Sequence, residues 1–287
     1  MIGIELVEKA AGPTSHDLVA ELRRSLPRGT KVGHAGTLDP FATGLVILLV
    51  GGATRLSGPL MGLPKRYRAI VQLGARSATG DPEGPIEESG VALPAEEAIA
   101  AALKRFRGAI EQVPPAVSAL KIDGKPAYAR VRAGEQVTMT ARTVQIDALE
   151  LVAHDAARGR VSLDVRCSKG TYIRSLARDL GDAVGCGGYC AELERSEIGA
   201  FTLARAGTIA QVVAAPEDPP WFVSPRDALG HLAERLLGAD EAALLRTGQA
   251  IALAGEHGPT RCVLDGRLLC LAEPRDGRLA PTMVLPE

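Results

Sequence analysis

Asp39 is the residue whose neighbours best equip it for chemistry. It lies in residues 33–55 (GHAGTLDPFATGLVILLVGGATR), directly before Pro40. A following proline pushes the preceding backbone toward extended conformations and away from helix. Gly33, Gly36 and Gly44 permit tight turns and close approach of a ligand. A carboxylate presented from such a stiffened loop can act as a nucleophile or a base. An Asp before Pro also commonly bonds its own turn, and the local sequence leaves both readings open. Ser118 and Lys121 fit the S-x-x-K spacing of serine acyl-enzymes, but the companion Ser-Asp-Asn and Lys-Thr-Gly motifs are missing. The five cysteines, Cys167, Cys186, Cys190, Cys262 and Cys270, are odd in number, which argues against a disulfide framework. Cys186 and Cys190 have no second Cys pair or nearby His to complete a zinc site, so small buried thiols are expected and no metal.

The elements that must position Asp39 follow from periodicity. Residues 45–50 form a continuous apolar run between Gly44 and Gly51, which predicts a buried strand entered from the Asp39 loop. Upstream, Leu18, Val19 and Leu22 have helical spacing, with Thr14 or Ser15 as N-cap. Residues 67–73 alternate like a strand that ends at Gly74. Apolar residues from Ala95 to Phe106 predict a helix over 94–107. Residues 144–152 and 161–167 alternate again, and Leu176, Leu180 and Val184 mark one face of a helix over 173–184. There is no regular βαβ beat and no Gly-rich fingerprint, so the expected class is α+β with a largely antiparallel sheet. The Pro-rich residues 215–225 (APEDPPWFVSP) divide the chain into domains 1–225 and 226–287. Beyond them, a short helix around 229–237 should lead to strands at 260–264 and 267–272, joined by the hairpin pair Asp265-Gly266. The terminal domain is therefore expected to be small and β-rich.

Composition bounds the partners. Hydrophobic residues make up 46% and charged residues 23%, ordinary values for a folded chain. Aromatic residues are only 3%, so the core must be Leu, Val, Ile and Ala, and each Tyr stands out. No basic patch precedes an apolar run at the N-terminus, and no apolar stretch approaches the roughly 20 residues a bilayer requires. A cytoplasmic protein without membrane contact is the expectation. The net charge of −1 hides clustering: residues 23–76 carry nine basic residues against Asp39 alone, and residues 158–178 carry six against Asp164 alone. Such segregation could create a positive face for phosphates.

The motifs together resemble a known family. GHAGTLDPFATG is similar to the segment around the catalytic aspartate of the TruB family of pseudouridine synthases. Lys65-Arg66-Tyr67-Arg68 resembles the family's KxY motif, and residues 168–175 (SKGTYIRS) its third active-site segment. Residues 114–121 (PPAVSALK), with Gly124 and Tyr128, resemble a segment that wraps the RNA arm, and Leu193-Glu194-Arg195 stands where Leu-Arg-Arg is usual. These matches keep the family's order over about residues 2–210.

The resemblance implies the pseudouridine synthase fold with a PUA-like C-terminal domain, an RNA-wrapping insertion at about 114–140, and isomerisation of uridine 55 in the TΨC loop of tRNA. It implies no cofactor, and Asp39, Tyr67 and Arg174 as the catalytic residues. Arg174 would pair with Asp39 and lower its pKa, while Tyr67 would stack on the target base. Tyr172 would line the pocket and Leu193 supply an apolar wall. His34 would occupy the space of the flipped nucleotide, and Lys9 would lie near the active site. Lys65, Arg66, Arg130, Arg132, Arg142 and Lys169 are candidates for phosphate contacts. Ala10, Val117 and Glu194 depart from the family's usual Pro, Tyr and Arg. The segment from Pro114 to Gln136 and the short C-terminal domain favour the stand-alone type over one that works with guide RNA, and a monomer is expected. A non-catalytic tRNA-binding protein of the same fold is the alternative.

Overall fold

Among residues 2–118, 120–122, 124–217 and 220–286, which the computed structural model describes, eleven strands join in one sheet. From edge to edge its main path runs Gly207–Thr208, Gly3–Lys9, Thr43–Val50, Gly188–Ile198, Lys65–Leu73, Arg160–Cys167, Arg142–Asp155 and Gly108–Gln112. Two neighbouring pairs are parallel, 3–9 with 207–208 and 43–50 with 188–198; the others along this path are antiparallel. The α+β class with a mixed, mainly antiparallel sheet is as expected.

The apolar run that predicted a buried strand is buried on both faces. Successive side chains of a strand point to opposite sides. Val46, Leu48 and Val50 accordingly join a core with helices Ser15–Ser25, Glu96–Leu103 and Ile173–Ala183. Leu45, Ile47 and Leu49 join a second core with Ile4 and Leu6 of the 3–9 strand and with Leu229, Leu268, Leu271 and Leu285. That second core explains why the run shows no alternation. The helix read over 94–107 is α-helical over 96–103 and tightens to a 3-10 turn at Lys104–Phe106.

The C-terminal unit is a five-stranded sheet in the order Ala233–Leu236, Thr260–Leu264, Arg267–Arg275, Arg278–Val284 and Ile251–Ala252. Asp265 and Gly266 both have positive φ, 48° and 77°, as a two-residue hairpin of this twist requires. The helix expected around 229–237 is not there. Residues 233–236 instead pair in parallel with 260–264, and the helices fall on either side, at Pro225–Ala228 and Ala239–Arg246. A helix of two turns is marginal alone, and pairing with a neighbouring strand satisfies the same backbone groups.

The charge clusters do not form a uniformly positive face. Arg66 pairs with Asp164 and Glu197, Arg68 with Glu194, Arg76 with Asp182 and Arg160 with Glu192. Sheet formation and, for Arg76, the packing of helix 173–183 bring together basic and acidic residues that are far apart along the chain. All five cysteines are free and buried. Among the described residues, no helix is long and apolar enough to cross a membrane.

Candidate active site

The Asp39 loop is held from several sides. Thr14 is the N-cap of helix 15–25, its side chain and that of Asp17 forming a capping box. The neighbouring Ser15 side chain turns instead to the loop. Its hydroxyl accepts from the Leu38 N–H at 2.9 Å and donates to the Leu38 carbonyl at 3.3 Å. Lys9, 0% exposed, donates from Nζ to the carbonyls of Ala10 at 2.8 Å and Pro40 at 2.9 Å. The Gly12 N–H adds a second bond to Pro40 O. Lys9 therefore grips the backbone just after Asp39, and burial lowers its pKa to about 8 against the attraction of Asp39. The contact made by residue 10 comes from its carbonyl and does not depend on its side chain.

Arg174, on helix 173–183, completes the arrangement. Its Nη2 donates to Asp39 Oδ1 at 3.0 Å, and its Nε lies 2.9 Å from Oδ2. Nη1 donates to Asp81 Oδ2 at 3.0 Å and to Thr79 O at 2.9 Å, while Nη2 also reaches Val117 O at 2.9 Å. The expected Asp39–Arg174 pair is thus present, and Asp81 is a second carboxylate on the same guanidinium, one that no motif marks in the sequence. The Val117 contact is again through a carbonyl, so the absent Tyr side chain does not disturb it. Glu194, the third departure, faces outward to Arg68.

The expected direction of the Asp39 shift is reversed. Burial pushes the carboxyl above its ordinary range, Arg174 pulls it down and Asp81 pushes it up. The carboxylate side chain keeps 30% exposure toward the cleft, whereas Arg174 is 3% exposed. Arg174 therefore aims the carboxylate without overcoming its desolvation.

Asp39 opens into a cleft of ≈ 600 Å³, whose lining includes Tyr67, Ser118, Lys169, Tyr172, Leu193 and Arg195. Tyr67 and Leu193 come from neighbouring strands, 65–73 and 188–198. Burial raises the Tyr67 phenol, and Arg195 opposes that. The backbone of Tyr172 is clamped at both ends by Gln112, which accepts from its N–H at 2.8 Å and donates to its carbonyl at 3.1 Å. The Arg142 guanidinium lies 5.0 Å from the Tyr172 ring centroid. Gln112 carried no signal in the sequence.

Three of the other residues read from the sequence have different settings. Lys65 borders the cleft, but its buried ammonium donates to Met61 O and Leu63 O, both at 2.6 Å, rather than projecting toward a phosphate. Arg66 is occupied by its two carboxylates on the sheet. His34, on strand Val32–His34, is half-buried, is not among the cleft-lining residues, and is held toward the neutral form by burial. Lys169 is exposed at the cleft. The segment 114–140 includes Ala119, Asp123 and the Tyr128 side chain, which lie outside the described residues. Ser118 Oγ is buried without a hydrogen-bond partner among the described residues.

A carboxylate fixed beside an aromatic wall in a cleft of nucleoside size suits chemistry on a sugar–base unit, and the relatives agree. Residues 23–173 match the TruB family pseudouridylate synthase N-terminal domain. The chain is 44% identical over 294 residues to tRNA pseudouridine synthase B of Leifsonia xyli subsp. xyli, spanning 98% of this chain and 95% of the relative. It is 40% identical over 291 residues to the protein of the same name from Mycobacterium tuberculosis, spanning 99% and 95%. Its fold is similar to a chain in an H/ACA RNP bound to a substrate RNA containing 2′-deoxyuridine, with TM-score 0.73, 22% identity, and coverage of 99% of this chain and 85% of that one.

The chain belongs to the TruB family of pseudouridine synthases. It is an isomerase of RNA uridine, and the likeness to these relatives extends over nearly the whole length, beyond the residues 2–210 in which the motifs lie.

Proposed function

We propose that this enzyme converts uridine 55 in the TΨC loop of tRNA to pseudouridine, as a cytoplasmic monomer that needs neither guide RNA nor cofactor. The observation that carries the reading is the Asp39 carboxylate, tethered on both sides and aimed by Arg174 into the cleft. The target base is extruded from its loop to enter the cleft, with His34 in the space it leaves. Asp39 supplies the carboxylate as the C1′–N1 bond breaks. The base turns, C1′ bonds to C5, the C5 proton departs and N1 gains one, so atoms balance without an added reactant. Tyr67 stacks on the base, while Tyr172 and Leu193 wall it in. Lys169 faces a flanking phosphate, and the buried Ser118 hydroxyl offers the nucleotide a hydrogen bond. Lys9 and Lys65 contribute by holding backbone at the edge of the site. Residues 226–287 form the PUA-like unit that meets the acceptor end of tRNA.

The names of the relatives support the tRNA substrate. The test is an unmodified tRNA transcript incubated with purified enzyme, without guide RNA and with a chelator, followed by mapping of pseudouridine. Modification confined to position 55, and abolished by U→C at that position, is expected. Modification elsewhere, or only with added RNA, would contradict the proposal.

A further inference from the structure

Arg195 is 1% exposed, yet its guanidinium meets main-chain oxygens rather than a carboxylate. It donates to Gly36 O at 3.1 Å, Thr37 O at 3.2 Å and Leu45 O at 2.8 Å. These carbonyls lie on both sides of Asp39. Burying a cation without an anionic partner is expensive, so this placement requires a return beyond packing.

The strand geometry shows what else the guanidinium reaches. Arg195 stands opposite Tyr67 on the antiparallel pair 188–198 and 65–73, and both residues border the cleft. The register shifts between Arg195 and Glu197, a bulge of the kind that re-aims a side chain. The backbone of Arg195 also presses on the Asp39 loop's exit. A Cβ at Gly44, where φ is +110°, would lie 2.4 Å from Arg195 O, so only glycine admits this approach.

We propose that Arg195 is a positioning residue that couples the Asp39 loop to the Tyr67 hydroxyl, holding the carboxylate and the phenol as one unit around the nucleotide. The positive charge of Arg195 agrees with this, since it lowers the pKa of the Tyr67 phenol against the effect of burial. The inference rests on the proposed roles of Asp39 and Tyr67, but part of its test needs no RNA.

Arg195→Lys and Arg195→Gln are compared with wild type, each with and without Tyr67→Phe. In the free proteins, ultraviolet titration of tyrosinate, taken as the difference from the matching Tyr67→Phe protein, should show Tyr67 ionising roughly one pH unit higher in Arg195→Gln. Single-turnover pseudouridine formation should fall about tenfold or more in Arg195→Gln, with partial rescue by Lys and tRNA affinity within about threefold. In the Tyr67→Phe background, the same substitution should cost much less. An unmoved Tyr67 titration, or an equal rate loss with and without the hydroxyl, would overturn the coupling. Should neither Arg195 variant fold, the guanidinium N–H signals of Arg195 in wild type and Tyr67→Phe decide the matter: a shift supports the contact and none refutes it. Loss of tRNA activity in wild type with the titration shift intact would strike the functional reading alone.

Discussion

At the residue scale the site is organised by one guanidinium shared between two carboxylates. Arg174 bonds Asp39, Asp81 and two carbonyls in a nearly closed environment. Arg174→Ala strands both acids, so a loss of about 3–5 kcal/mol in unfolding free energy is expected together with loss of turnover. Chemical denaturation measures the first, and an unchanged midpoint would contradict the buried cluster. The pH dependence follows from the same groups. In the proposed reaction Asp39 acts as the carboxylate, and burial raises its pKa, so the acid limb of kcat/KM should lie above the ordinary carboxylate range and activity should fall as pH drops through it. Asp81→Asn removes a neighbouring negative charge that pushes Asp39 up, so the limb should move to lower pH as overall activity falls. A limb that stays put or moves upward would contradict this assignment. Asp39, Arg174 and Tyr67 were legible because a motif surrounds each. Asp81 was not, since a Gly-Asp-Pro turn reads as surface until the helix bearing Arg174 packs against it.

Elements were legible where their pattern was local. The 43–50 strand, the 173–183 helix and the Asp265-Gly266 hairpin each announce themselves through an apolar run, a periodic face or a turn pair. The 3–9 strand was hidden because it buries Glu5 and Lys9, charged residues that break the expected pattern. Residues 233–236 were misread because their partner strand lies more than twenty positions downstream, and local leucine spacing carries no trace of that pairing. Glu5 gives a measurable consequence. Its carboxyl accepts one bond from the Glu217 N–H, while Oε2 has no partner, and burial raises its pKa to about 7. Between the unfolded value of 4.5 and about 7, the native state keeps a proton that the unfolded chain has lost. Stability therefore falls as pH rises through that window, by roughly 3 kcal/mol in full. Glu5→Gln should melt higher than wild type at about pH 8 and converge with it at about pH 4. Equal gains at both values would place the effect in packing rather than ionisation.

For the whole molecule, the C-terminal unit is a structural partner of the catalytic sheet. Leu229, Leu268, Leu271 and Leu285 cover the face formed by Ile4, Leu6, Leu45, Ile47 and Leu49, and Arg55 Nη1 donates to Val284 O at 2.6 Å. Truncation after residue 225 should expose that apolar face and yield an aggregating chain, as gel filtration would show. A monomeric, fully active fragment would make the second core dispensable. Net charge could not reveal this organisation, because the basic clusters are neutralised across strands. The measurement closest to the central claim is tritium release from tRNA labelled at uridine C5, using wild type beside Asp39→Asn without guide RNA or added metal. Release by wild type, reduced at least about a thousandfold in Asp39→Asn with tRNA binding retained, is the predicted result. Comparable release by Asp39→Asn would contradict the role of this carboxylate, and no release from either protein would contradict the proposed reaction on tRNA.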